Sequence, residues 1–177
     1  MLATLYVVRM LGLFMVLPLI AVYSADMTGA TPFLLGLAVG AYGLTQSTLQ
    51  IPMGWLSDRI DRRWVIVFGL SLLMLGSVVA ALSSSIWGVI AGRFLQGAGA
   101  IASATMALVA DYTRVEQRAK ASAIIGGSIA IAFGLALVLG PTFANFGGLQ
   151  GVFSVTALLA TAGIGVVCFL PKPDRRA

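Results

Sequence analysis

Histidine is absent from this sequence, cysteine occurs once, and charged residues make up only 10% of it. The lack of histidine removes the commonest general base and metal ligand at neutral pH. The lone Cys168 lies in an apolar run, so it allows neither a disulfide framework nor a paired-cysteine metal or redox site, and an inert core thiol is expected. A charge content this low is a poor fit to a soluble domain of 177 residues, which needs more polar surface to cover its core. No basic segment precedes the first apolar run, so no cleavable signal peptide is expected. No carboxylate lies deep in an apolar run, and no nucleophile–base pair is visible. An enzyme is therefore not expected, nor is a metal or other cofactor.

Hydrophobic residues are abundant instead, at 59% of the chain. A membrane-spanning helix needs about 20 mostly apolar residues. Six stretches qualify by eye, at 2–23, 33–56, 64–83, 86–111, 121–143 and 151–170. Turn formers separate them, among them Ser83-Ser84-Ser85 and Asn145-Phe146-Gly147-Gly148. The fold expected is an all-α integral membrane protein of six transmembrane helices, one bundle over 1–170. Residues 171–177 are expected to begin a cytoplasmic loop.

The net charge of +5 fits membrane topology better than a nucleic-acid partner. Arg59, Arg62 and Arg63 follow the second stretch, Arg114, Arg118 and Lys120 the fourth, and Lys172, Arg175 and Arg176 the sixth. The connections after the first, third and fifth stretches carry no Lys or Arg. Basic residues collect on the cytoplasmic side, so both chain ends are expected there, in a multi-pass protein of a bacterial inner membrane.

Arg9 and Arg93 fall inside apolar stretches, where a charge needs a partner, a hydrated cavity or an escape to the interface. Arg9 either snorkels to the headgroups or faces the interior. Tyr42, Gln46 and Gln50 recur every four residues and share one helix face. They line a substrate cavity, with Arg9, Phe14 and Met15, or they are polar glue between helices. A faint echo between Arg9-Met10-Leu11-Gly12 and Arg93-Phe94-Leu95-Gln96-Gly97 is what a three-plus-three inverted repeat would leave.

Three segments carry recognisable patterns. Gly54-Trp55-Leu56-Ser57-Asp58-Arg59-Ile60-Asp61-Arg62-Arg63 resembles the signature loop of the major facilitator superfamily (MFS). It departs from that pattern at Asp61, where glycine is usual, which is expected to alter the turn. Arg93, Gln96, Gly97 and Gly99 match the fixed positions of the family's Arg-x-x-Gln-Gly-x-Gly motif. A dinucleotide-binding reading of those glycines fails, because no strand precedes them. In the fifth stretch, Gly127, Gly140 and Pro141 resemble the glycine-rich antiporter helix, although a generic proline kink would explain them as well.

Together these segments resemble YajR-type bacterial drug/proton efflux transporters of this superfamily. The resemblance implies the N-terminal half of a twelve-helix transporter, completed by a second six-helix half or a second copy. It also implies that Gly54, Asp58, Arg59, Arg62, Arg63 and Asp111 form a cytoplasmic gating cluster. The expected function is secondary active efflux of a small molecule by alternating access, coupled to protons. The competing expectation is a non-transporting half or membrane scaffold, from a truncated or split gene.

Overall fold

The computed structural model describes residues 2–23 and 27–169. Asp26, the expected end of the sixth stretch at Leu170 and the tail at 171–177 lie outside these residues. The described chain is helical apart from short links and one bridge between Thr28 and Ser85. The helices are α1 (Leu2–Tyr23), α2 (Pro32–Arg59), α3 (Arg62–Leu82), α4 (Ile86–Ala98), α5 (Ala102–Tyr112) and α6 (Arg118–Cys168), with a 3-10 turn at Val115–Gln117.

Short side chains set several helix starts. Thr31 accepts a hydrogen bond from the Leu34 amide at 3.3 Å, and Pro32 then opens α2 where no amide is needed. Ser85 caps α4 by accepting from Gly88 at 3.4 Å. Asp61 caps α3, accepting from the Arg63 amide at 3.0 Å. Its φ is −61°, so the turn needs no left-handed residue. The Asp in place of the usual glycine thus serves as a helix cap.

Six spans were expected; among the described residues, four helical segments are long and apolar enough to cross a membrane. These are Ala3–Tyr23, Arg62–Leu82, Ile86–Tyr112 and Val115–Cys168. The 28-residue α2 is not among them, because its middle turn, Thr45-Gln46-Ser47-Thr48 with Gln50, dilutes its apolar character. The fourth expected stretch is divided into α4 and α5 by a non-helical break around Gly99–Ile101.

The fifth and sixth stretches run together as α6, 51 residues long, interrupted at Gly147 and Gly148. Gly148 has φ +58° and ψ −154°, a conformation only glycine adopts freely. There the chain doubles back. Before the break, Ile125 packs near Tyr6, and Gly140 lies 3.1 Å from the Met15 carbonyl for an added Cβ. After it, Thr156 donates to the Gly12 carbonyl at 3.3 Å and Gly163 lies against Leu5. The two arms therefore run in opposite directions along α1. At 1.5 Å per residue, each is roughly long enough to span a bilayer core.

Lipid tails supply little hydrophobic drive between helices, so close packing has to hold them together. Small residues allow it. A Cβ on Gly76 would come within 2.5 Å of the Gly92 carbonyl oxygen, and one on Gly92 within 2.6 Å of the Gly76 carbonyl, which seats α4 on α3. The main apolar cluster joins α1, α4 and both arms of α6 around Met15, Ile20, Val89 and Phe153.

The connections sort to two ends. Thr28 donates to the Ser84 carbonyl and Gln150 to the Ser83 carbonyl, both at 3.3 Å, so the α1–α2 link, the α3–α4 link and the α6 break share one end. No described residue at 27–31, 83–85 or 146–150 is charged. At the other end, Arg62 meets Asp58 and Asp111, and Arg63 donates to the Cys168 carbonyl at 3.5 Å. Cys168 itself is exposed at the tip of α6, not an apolar core thiol.

Candidate functional site

The charged end is organised by Arg62. Its Nη2 donates to Asp58 Oδ1 at 3.0 Å, and its Nη1 donates to Asp111 Oδ2 at 2.7 Å and to the Ala107 carbonyl at 2.9 Å. Asp58 lies near the end of α2, Arg62 opens α3, and Asp111 lies near the end of α5. The Asp58–Arg62 pair, four residues apart, is not a pair within one helix. It spans the link at Ile60–Asp61 and so fixes how α2 turns into α3. Gly54 admits α5 to the face of α2, since an added Cβ would lie 3.0 Å from Ser103 Oγ. Arg59 stacks over the Trp55 ring at 3.8 Å instead of joining the carboxylates, and Arg63 reaches the end of α6.

A second polar centre lies inside the bundle. Arg93 is 1% exposed. Its Nε donates to the Ala38 carbonyl at 3.3 Å, its Nη1 donates to Gln96 Oε1 at 2.8 Å, and its guanidinium sits 4.8 Å from the Tyr42 ring centroid. Gln96 Nε2 donates to Ser77 Oγ at 2.8 Å, and Ser77 donates to the Leu73 carbonyl at 2.7 Å. The three-residue spacing of Arg93 and Gln96 on one helix face makes the first of these bonds possible.

Arg9 does not snorkel. It is buried, and its Nη2 donates to Tyr42 Oη at 3.3 Å and to the Gly99 carbonyl at 3.4 Å. The Gly99 contact follows from the break between α4 and α5. Backbone carbonyls freed inside a span need donors. Arg9 supplies one at Gly99, whose carbonyl also accepts from the Ile101 amide at 2.9 Å, and Tyr6 donates to the Ala102 carbonyl at 3.1 Å where α5 begins. Gly97, just before the break, backs onto the Tyr42 carbonyl, which an added Cβ would overlap.

Tyr42, Gln46 and Gln50 line a groove of about 450 Å³ together with Leu13, Gly43, Ser47 and Ile51. Phe14 and Met15 are not part of its lining. Met15 is fully buried in the main cluster, and Phe14 stands edge-to-face with Phe133 at 5.1 Å. Arg9 is absent from that lining too and reaches the groove only through Tyr42. In the fifth stretch, Gly140 packs on α1, whereas Gly127 has nothing within 4 Å and Pro141 is exposed.

A family model described as the Major Facilitator Superfamily matches residues 2–177. The chain belongs to that superfamily. It is 52% identical over 169 residues to the inner membrane transport protein YajR of Escherichia coli K12, covering 96% of this chain and 37% of YajR. An uncharacterized transporter of Buchnera aphidicola is 42% identical, covering 93% of this chain and 42% of that protein. The class B tetracycline resistance protein of Escherichia coli is 33% identical, with coverages of 76% and 33%. A crystal structure of the peptide transporter POT superposes with a TM-score of 0.77 at 20% identity, covering 94% of this chain and 37% of that one. The last likeness concerns the fold alone. The chain thus spans about two-fifths of the length of the relatives it matches.

Within this superfamily frame, the structure groups most of the motif residues into the two polar centres. Arg59, Arg63, Gly127, Gly140 and Pro141 stand apart from both. Sequence reasoning missed Tyr6, Ser77 and Ser103. The signal for Ser77 and Ser103 is a hydroxyl in an otherwise apolar helix. Neither residue's partner can be read from its own segment.

Proposed function

We propose that this chain is the N-terminal six-helix half of an inner-membrane efflux transporter that works by alternating access and proton antiport. The reading takes α4 and α5 as one broken span and α6 as two, in a three-plus-three arrangement with both chain ends cytoplasmic. The reversal at Gly148 and the segregation of charge to one end support that count. The observation that carries the mechanism is Arg62 held between Asp58 and Asp111, tying the ends of α2, α3 and α5 together. A guanidinium shared by two carboxylates locks three helices in register and is released when either acid is lost. In the complete transporter, that end faces a second six-helix half and closes the cytoplasmic side. The groove lined by Tyr42, Gln46 and Gln50 is the wall of the solute pathway.

The test is solute flux in proteoliposomes containing a complete transporter built on this half. An imposed proton gradient should drive flux, and dissipating the gradient should stop it. Flux indifferent to the gradient removes antiport, and absence of flux for every solute tried removes the transport reading. Cysteines placed at Ser84 and at Arg62 should label from opposite sides of the membrane, and labelling from one side would refute the span count.

A further inference from the structure

Among the described residues, the two interior arginines have no anionic partner. The ion pairs among the described residues all belong to Arg62. Arg9 and Arg93 are buried to 4% and 1% exposure and are held by carbonyls, an amide and an aromatic ring. Each also has a buried guanidinium nitrogen without a hydrogen-bond partner, Nη1 in Arg9 and Nη2 in Arg93. A buried charge left uncompensated is costly, and an unpartnered donor adds to that cost.

Both guanidiniums meet at one side chain. The Tyr42 hydroxyl accepts from Arg9, and the Tyr42 ring lies under Arg93. Tyr42 also faces the groove, beside Gln46, whose Oε1 is likewise buried and unpartnered. A single side chain therefore connects two uncompensated cations to an open path.

We propose that the Arg9–Tyr42–Arg93 cluster binds one carboxylate-class anion, entering from the groove. A carboxylate has two oxygens in a plane, each able to accept a charge-assisted hydrogen bond from a guanidinium. Its negative charge offsets both arginines in a setting of low dielectric. The carboxylate comes either from a free solute or from an acidic side chain elsewhere in a complete transporter. The proposal rests on the groove as a solute pathway, but binding can be measured without flux.

The chain is placed in nanodiscs of zwitterionic lipid, and its thermal unfolding is followed against sodium benzoate, with neutral benzamide as the control. Benzoate should raise the unfolding midpoint and benzamide should not. Arg9→Gln and Arg93→Gln should each weaken the benzoate response by roughly tenfold or more. Without benzoate, neither variant should unfold earlier than the parent, because each removes an uncompensated charge. A purely structural role would instead lower the midpoint. Arg9→Lys and Arg93→Lys keep the charge and should retain part of the response.

No benzoate response in the parent chain overturns the proposal, and so does a full response in both Gln variants. In a complete transporter, binding that persists marks a free solute, while binding lost there but present in the chain alone marks an internal acid. Benzoate binding without flux of any solute sinks the transport reading and leaves the site. Flux without anion binding does the reverse.

Discussion

Arg62 and Arg93 are held in opposite ways. Arg62 sits at a helix end, 22% exposed, between two carboxylates that are 65% and 37% exposed. Arg93 sits inside the bundle and is held by a carbonyl, an amide and a ring, with no carboxylate. Near water, a carboxylate costs little to place and little to release. Inside a span, an ionised acid is expensive, and neutral dipoles serve instead. The first arrangement suits a contact that opens and closes. The second suits a fixed charge that waits for a mobile partner.

The largest effect should come from the interior. Arg93→Leu in a complete transporter should leave membrane abundance unchanged and lower flux at least about tenfold, since the buried cation over the Tyr42 ring is lost together with its bonds to Ala38 and Gln96. Normal flux in that variant would make Arg93 structural and erase the contrast.

Next is packing around the same centre. Gly97→Leu should cost about 1–3 kcal/mol, because its side chain must displace the backbone of α2 at Tyr42. Gly127→Leu, with open space around it, should change stability by less than about 0.5 kcal/mol. Equilibrium unfolding of the two variants in nanodiscs compares them directly, and equal losses would mean that the Gly97 contact does not hold.

The exposed cluster should respond more weakly. Asp111→Asn should loosen the charged end by about 1 kcal/mol, and Asp58→Asn by less, given its longer bond and greater exposure. Both substitutions act on one guanidinium, so the double variant should fall short of the sum. Distances between spin labels on the two halves of a complete transporter would report it. Unchanged distributions in Asp111→Asn would remove the proposed role of the Arg62 cluster in closing the cytoplasmic side.

The smallest effect is ionic. At about 1 M salt the Debye length falls to about 3 Å, so the Asp111→Asn effect should shrink. Arg93→Leu should keep its full effect in high salt, because its target is shielded from the solution. An equal salt response at both centres would mean that the Arg93 region is as wet as the helix ends.

Much of this was legible from the chain alone. Asp58, Arg62 and Asp111 stand out as charges at the ends of apolar stretches on one side, and the family resemblance implies that they form one cluster. Arg93 and Gln96 were readable as a pair because both lie on one helix. Arg9 was not, because its partners are on α2 and at the α4–α5 break. Met15 read as a cavity residue because an apolar side chain looks the same whether it faces a groove or a core.

The sequence by itself determined a helical membrane chain whose basic links alternate with links free of Lys and Arg, because apolar length and basic alternation are local and lipid enforces both. It also determined which residues would be polar inside that chain. The tertiary structure decided what those residues do. α1 brings Arg9 to the Gly99 carbonyl in the break and Tyr6 to the Ala102 carbonyl where α5 begins, and α6 doubles back at Gly148 to lay both arms on α1. Such outcomes depend on donors and surfaces dozens of residues away, whose arrangement no single helix encodes.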